Sequence, residues 1–184
     1  MRDDMNYLKE FIYRLRGEVT TEKLIKRGMK VGSNFHRLKG VILDDSHCWL
    51  IEIGDNVTIA PRVHILCHDA STKLFTGYTK IGRVSIGNNV FIGAESVILP
   101  NVKIGNNVVI GANSTVTHDI PDNTVVAGSP AKVICSLDEY IEKEKKQIAI
   151  APCYGEEFTL HNNVSMDKRM EQKKSLKGKI GYIK

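Results

Sequence analysis

His68 is the residue whose type and place could most readily do chemistry. A neutral imidazole accepts a proton from a hydroxyl near pH 7. His68 falls at the fourth place of a six-residue phase counted from Ile65, which points its ring outward at a corner. An ordinary surface histidine fits the same pattern. His64 lies four residues earlier and also faces out, and the pair suggests two metal ligands. Downstream the repeat offers only His118, and two ligands without a third make a weak site, so no bound metal is expected. Asp44 and Asp45 lie one coil earlier and, with His47 and Trp49, could line a cavity for an acceptor. Trp49 is the sole tryptophan; a stacking platform or a packing role fits it. Asp69 either orients an imidazole or caps a turn. The cysteines (Cys48, Cys67, Cys135, Cys153) show no C-x-x-C spacing, which predicts free thiols in a cytoplasmic setting.

The elements that must hold these residues repeat every six positions. Aliphatic residues recur at Ile86, Ile92, Ile98, Ile104, Ile110 and Val116, with glycine following at Gly87, Gly93, Gly105 and Gly111. Val90, Ser96, Val102, Val108 and Ser114 add a second small or aliphatic position, and Ile53, Ile59 and Ile65 carry the phase upstream. Six fits neither the 3.6 of a helix nor the 2 of a long strand. It fits a short strand followed by a corner, three of which close a coil. Stacked coils give parallel strands roughly 4.8 Å apart. The aliphatic and small positions point inward, and Gly or Asn at the corner supplies positive φ. Residues 31–135 thus predict roughly five coils that bury their apolar sides on one another. The phase is read as breaking once. After Ile65 it resumes at Ile86, fifteen residues late, so a loop over 69–85 leaves the coil. Loops of that size are uncommon in a compact solenoid and often functional.

Residues 1–30 predict an N-terminal helical segment, with Met5, Leu8, Ile12 and Leu15 on one face over 3–16 and a second short helix over 20–28. Residues 136–184 predict a C-terminal helical extension. Ser136-Leu137-Asp138-Glu139 opens a helix to about Ile148, and another runs from 165 to 177 and stops at Gly178. The acidic start lacks an apolar core and predicts no signal peptide. No apolar run is long enough for a membrane span. Residues 31–135 balance eight basic against eight acidic residues, so the net charge of +5 sits in the end segments. That distribution, without aromatic platforms, argues against nucleic-acid binding. Lys173-Lys174-Ser175-Leu176-Lys177-Gly178-Lys179 reads as a solvated helix end.

Three stretches carry a resemblance: Ile53-Gly-Asp-Asn-Val-Thr-Ile-Ala-Pro61, Ile104-Gly-Asn-Asn-Val-Val-Ile-Gly-Ala112 and Val125-Val-Ala-Gly-Ser-Pro-Ala-Lys-Val-Ile134. They resemble the hexapeptide-repeat acyltransferases, nearest to the sugar and xenobiotic O-acetyltransferase branch. The resemblance implies a mainly β fold, a left-handed parallel β-helix of triangular section with short terminal helices. It also implies a homotrimer with acetyl-CoA bound between neighbouring solenoids. His68 matches the catalytic histidine of the family. Ala94, Ala112, Thr117, His118 and Lys132 match or suit positions that contact CoA, and a small molecule or glycan is the acceptor. Where many sugar acetyltransferases carry proline, this chain has Asp69, and Leu38-Lys39-Gly40 replaces the Asn-Phe-Asn stretch of the galactoside branch. Other acceptors in view are an amino-sugar nitrogen, serine or a xenobiotic alcohol. A metal-dependent hydratase related to the γ-type carbonic anhydrases and a non-catalytic solenoid complete the alternatives.

Overall fold

The computed structural model describes residues 17–184; the helix expected over 3–16 lies outside them. Helix α1 (Thr21–Lys26) starts where the Thr20 side chain accepts a hydrogen bond from the Lys23 amide. Its Leu24, fully buried, joins the core of the first coil with Met29 and Cys48.

Short strands follow in triplets, one triplet per coil. The first coil has β1 (Lys30–Val31), β2 (His36–Arg37) and β3 (Ile42–Leu43). The second has β4 (Ile51–Ile53), β5 (Val57–Ile59) and β6 (His64–Ile65). An excursion then carries β7 (His68–Asp69), α2 (Lys73–Thr76) and β8 (Lys80–Ile81), before the third coil of β9 (Val84–Ile86), β10 (Val90–Ile92) and β11 (Val97–Ile98). The fourth coil is β12 (Val102–Ile104), β13 (Val108–Ile110) and β14 (Thr115–Val116). A partial fifth holds β15 (Thr124–Ala127), on which β16 (Lys132–Ser136) folds back antiparallel. The coil strands sort into three parallel stacks: β1-β4-β9-β12, β2-β5-β10-β13-β15 and β3-β6-β11-β14. Ile59, Ile65, Ile92, Ile98, Ile104 and Ile110 are fully buried between them. Each contributes roughly 1.5–3 kcal/mol of burial.

The corners explain the Gly-Asn-Asn and Gly-Asp-Asn triplets. Asn34, Asn56, Asn89, Asn107 and Asn123 all have φ between 52° and 57°. Their side chains hydrogen-bond in a continuous ladder from coil to coil, each Nδ2–H donating to the next Oδ1 at 2.8–3.0 Å. The preceding residue forms a second ladder. Asp55, Asn88, Asn106 and Asp122 accept the backbone N–H of the coil before, at 2.6–2.9 Å. Asparagine tolerates the left-handed region because its short amide can bond locally.

Two expectations change here. The glycines that follow the aliphatic residues, Gly111 among them, do not carry the positive φ. They are required because the next coil runs too close: a Cβ on Gly87 would lie 2.6 Å from the Gly105 carbonyl oxygen, and one on Gly93 would lie 2.7 Å from that of Ile110. The phase also breaks more than once. Parallel partners are 18 residues apart between the third and fourth coils (Val84↔Val102) and 33 apart across the excursion (Ile51↔Val84). They are 22 apart between the first and second coils (Lys30↔Glu52) and 16 apart at the last step (Val109↔Val125). Four extra residues therefore bulge after Leu43, a segment ending in the single-turn helix Cys48–Leu50.

Residues 138–184 form a second compact unit. It contains most of α3 (Leu137–Ile148), the parallel pair β17 (Cys153–Tyr154) and β18 (Tyr182–Ile183), and α4 (Met166–Ser175). The Ser165 side chain caps α4 by accepting from the Lys168 amide, and Gly178 beyond its end takes φ 74°.

Substitutions at two positions separate the two roles. Asn89→Ala is expected to lose about 2 kcal/mol in urea denaturation, because it breaks two rungs and leaves a Cβ at positive φ, while Asn89→Gly loses about 1 kcal/mol. Equal losses would contradict the conformational part of the argument. Gly93→Ala is expected to cost about 3 kcal/mol by forcing two coils apart.

Candidate active site

The bulge after Leu43 and the start of the excursion meet on adjacent coils. The Asp44 N–H donates to the Ile65 carbonyl at 2.9 Å, so Asp44 stacks directly on the segment that leads to His68. Its carboxylate is fully buried. Oδ2 accepts the Cys67 N–H at 2.8 Å and faces His68 Nδ1 at 2.5 Å. Oδ1 accepts the Ser46 hydroxyl at 2.7 Å and the His47 N–H at 3.1 Å. Cys67 is also held from the far side, its carbonyl accepting the Gly82 N–H at 2.9 Å where the excursion returns. His68 thus leaves the coil next to a residue whose N–H and C=O are both anchored, and its side chain remains 39% exposed.

The electrostatics follow from this geometry. Burial alone would raise the Asp44 pKa; donors from Ser46, Cys67 and His68 outweigh it and hold the carboxyl below its ordinary value. An ionised carboxylate can only accept hydrogen bonds. His68 Nδ1 therefore carries a proton, and in the neutral ring the lone pair lies on Nε2. Cys67, next to His68 in the chain, carries a buried thiol. Burial, with the Asp44 charge, pushes its thiol up to about 12, which keeps it protonated and inert at neutral pH.

Each residue singled out in the sequence has a definite place. Asp44, expected to face an acceptor, has its carboxylate committed to protein donors and turned onto His68; this corrects its place. Asp69 does not orient the imidazole. Its Oδ1 accepts the Ser71 N–H at 2.8 Å and its Oδ2 pairs with Lys80 at 2.6 Å, contacts that hold its carboxyl well below the usual range. Asp45 is exposed and lies 3.8 Å from Arg27. Trp49 is 54% exposed, and its ring centroid lies 5.3 Å from that of His47, which in turn lies 5.4 Å from His68. The three rings form one aromatic row that ends at His68. Ala94 and Ala112 stack at the corner before the β11 and β14 strands, joined by the Asn113 N–H donating to the Ala94 carbonyl at 2.8 Å. Thr117 and His118 occupy the corner after β14, their side chains 2.8 Å apart. Lys132 is exposed at the start of β16. Asp44 with His68 and Thr117 with His118 follow strands of one sheet, β3-β6-β11-β14, at its trailing edge; Ala94 and Ala112 precede its strands at the opposite edge.

Ser46 and the Cys67 amide are the working parts that the sequence reading missed. Six residues back from Ile53 falls His47, a residue unsuited to an inward position. That mismatch was the available sign of the four-residue bulge. His64 stays on β6 and takes no part in the cluster. Asp44, His47 and His68 bring ligand atoms within 4.8 Å of one another, the one such trio among the described residues. Both Asp44 oxygens already accept two protein hydrogen bonds, and Ser46 Oγ lies 3.0 Å from His47 Nδ1 and 3.3 Å from His68 Nδ1. A cation would have to displace these contacts.

The bacterial transferase hexapeptide family (six repeats) matches residues 83–118. Protein CapG of Staphylococcus aureus is 44% identical over 143 residues, covering 73% of this chain and 81% of CapG. The chain belongs to the hexapeptide-repeat transferases. A solved maltose O-acetyltransferase from Clostridium difficile 630 is 46% identical, with a TM-score of 0.53, over 59% of each chain. A galactoside acetyltransferase solved in complex with coenzyme A is 39% identical, with a TM-score of 0.56, over 62% of this chain and 58% of that one. This chain thus spans under two thirds of each of these two solved enzymes.

The buried carboxylate makes an acid-side prediction. Its folded pKa is lowered, so the stability it contributes is complete above its unfolded value of about 4 and is lost as pH falls through the folded value. Asp44→Asn is expected to flatten the decline in unfolding free energy below about pH 4, and to cost about 2–4 kcal/mol at pH 7. Denaturant titrations of both proteins across that range check it; parallel acid limbs would refute it.

Proposed function

We propose that the chain transfers an acetyl group from acetyl-CoA to a hydroxyl of a carbohydrate, with His68 as general base. The observation that carries the reading is the contact between His68 Nδ1 and the buried Asp44 carboxylate, which leaves Nε2 as an outward-facing base. Nε2 takes the hydroxyl proton as the acceptor oxygen attacks the thioester carbon. The imidazolium formed is stabilised by Asp44 at 2.5 Å. The tetrahedral oxyanion, held by a backbone N–H, collapses and expels CoA thiolate, which recovers the proton from Nε2–H.

The rest of the assignment follows from the family and from placement. The three parallel stacks wind as a left-handed β-helix of triangular section, and three copies associate with acetyl-CoA between them. The small side chains of Ala94 and Ala112 let the pantetheine arm lie against the backbone. Thr117, His118 and Lys132 serve the nucleotide end, Lys132 as a point charge for phosphate. Trp49 stacks on the acceptor ring and Asp45 accepts from its hydroxyls. The excursion exposes Leu74, Phe75 and Tyr78, each at least 80% accessible; contact with a neighbouring protomer would cover them. The relatives named for galactoside and maltose support a sugar acceptor, and a soluble cytoplasmic enzyme is the setting proposed.

Thiol release from acetyl-CoA in the presence of sugar acceptors tests the reading. His68→Ala is expected to lower kcat about 10²–10⁴-fold. Asp44→Asn is expected to lower it about 10²-fold or more, because an amide can donate to Nδ1 and move the proton to Nε2. Undiminished turnover in His68→Ala would remove the base. Light scattering is expected to give three times the chain mass; a stable monomer would remove the shared site.

A further inference from the structure

The second compact unit ends in a concentration of charge that the acetyl-transfer reading does not use. Residues 165–184 hold seven Lys/Arg and two Asp/Glu, a net +5 equal to that of the whole chain. Lys145 pairs with Glu142 at 2.7 Å in this unit, whereas Lys173, Lys174, Lys177 and Lys179 enter no ion pair with a described residue. Large apolar side chains stand exposed in the same twenty residues: Met166 at 66%, Met170 at 59% and Ile180 at 78%.

The arrangement on α4 is ordered. Met166 and Met170 are four residues apart, and Lys173, Lys174 and Lys177 continue the same side of the helix. Met170, Lys173, Lys174 and Lys177 line one shallow groove, in which Glu171 is the single acidic residue. Asp167 sits in the first turn and the lysines in the last, and Ser165 caps the start. Each placement favours the helix without a partner, so the surface is formed before it binds anything. A solvated helix end accounts for the lysines but not for two exposed methionines among them.

We propose that α4 and the residues after it dock the protein on an anionic phospholipid surface. Lysine ammonium groups reach headgroup phosphates while their stems and the flexible methionines lie against the acyl boundary. Clustered basic residues next to apolar ones are the chemistry of such surfaces. A nucleic acid would use the charge but leave Met166, Met170 and Ile180 in water, and it would want aromatic platforms. The docking is peripheral: no helix among the described residues is long and apolar enough to cross a membrane.

Sedimentation of the full chain with extruded vesicles tests the proposal without recourse to catalysis. Binding to vesicles of phosphatidylcholine with roughly one-third phosphatidylglycerol is expected to exceed binding to phosphatidylcholine alone at least tenfold, and to fall as NaCl rises from about 0.1 M to about 1 M. Lys173→Glu with Lys174→Glu should lower it more than tenfold. Met166→Ser with Met170→Ser should lower it about threefold or more at unchanged charge, with circular dichroism reporting the same helix content. Equal binding to neutral vesicles, no binding, or full binding by the methionine variant together with tight capture of single-stranded RNA would overturn it.

Discussion

The distance between successive coils constrains everything else in the repeat unit. Backbones stacked at strand spacing leave no room for a side chain wherever one corner passes over the next, so glycine is imposed at 54, 87 and 105. The same stacking brings identical corner positions into hydrogen-bond reach, so asparagine can bond to asparagine for the length of the solenoid. The six-residue repeat is the sequence image of that geometry: two inward positions, one position with no Cβ, one that accepts an amide from above, and one that tolerates a left-handed backbone.

Against so regular a frame, two departures stand out. One coil step has four residues too many, and the next has fifteen. Both extra segments leave from the same sheet, one coil apart, and the candidate site lies where they part from the frame. Asp44 and His68 are 24 positions apart in sequence and share a hydrogen bond because one coil step separates their strands. The bulge lets Asp44 turn its carboxylate back under the imidazole, with Ser46 and two backbone amides completing its hydrogen bonds. A buried carboxylate so fully satisfied stays ionised, and its ionisation fixes which ring nitrogen of His68 is free. Burial of the carboxylate and placement of the ring proton are therefore one consequence of coil stacking.

The two units of the chain divide the work differently. The repeat unit is close to charge balance and derives its order from stacked aliphatics. The terminal unit is strongly charged and shows its apolar residues to solvent. A helix whose caps and charges favour it by themselves can carry such a surface, because it does not need those apolar residues for its own fold.

From the sequence alone came the repeat, the inward identities, the existence of the long excursion, the terminal helices expected to about Ile148 and over 165–177, and His68 as the residue to watch. These were legible because they depend on local periodicity and on residue type. What only the tertiary structure decided was the partner of His68, the commitment of Asp69 to Lys80 and a turn, and the reason for each corner glycine. The first and the last depend on what lies on the adjacent coil, 16 to 33 residues away along the chain, and the second on how the excursion folds back on itself. A spacing that varies from step to step cannot be read from one strand. Only the stacked backbone fixes which residues face each other, and hence which carboxylate lies under the ring.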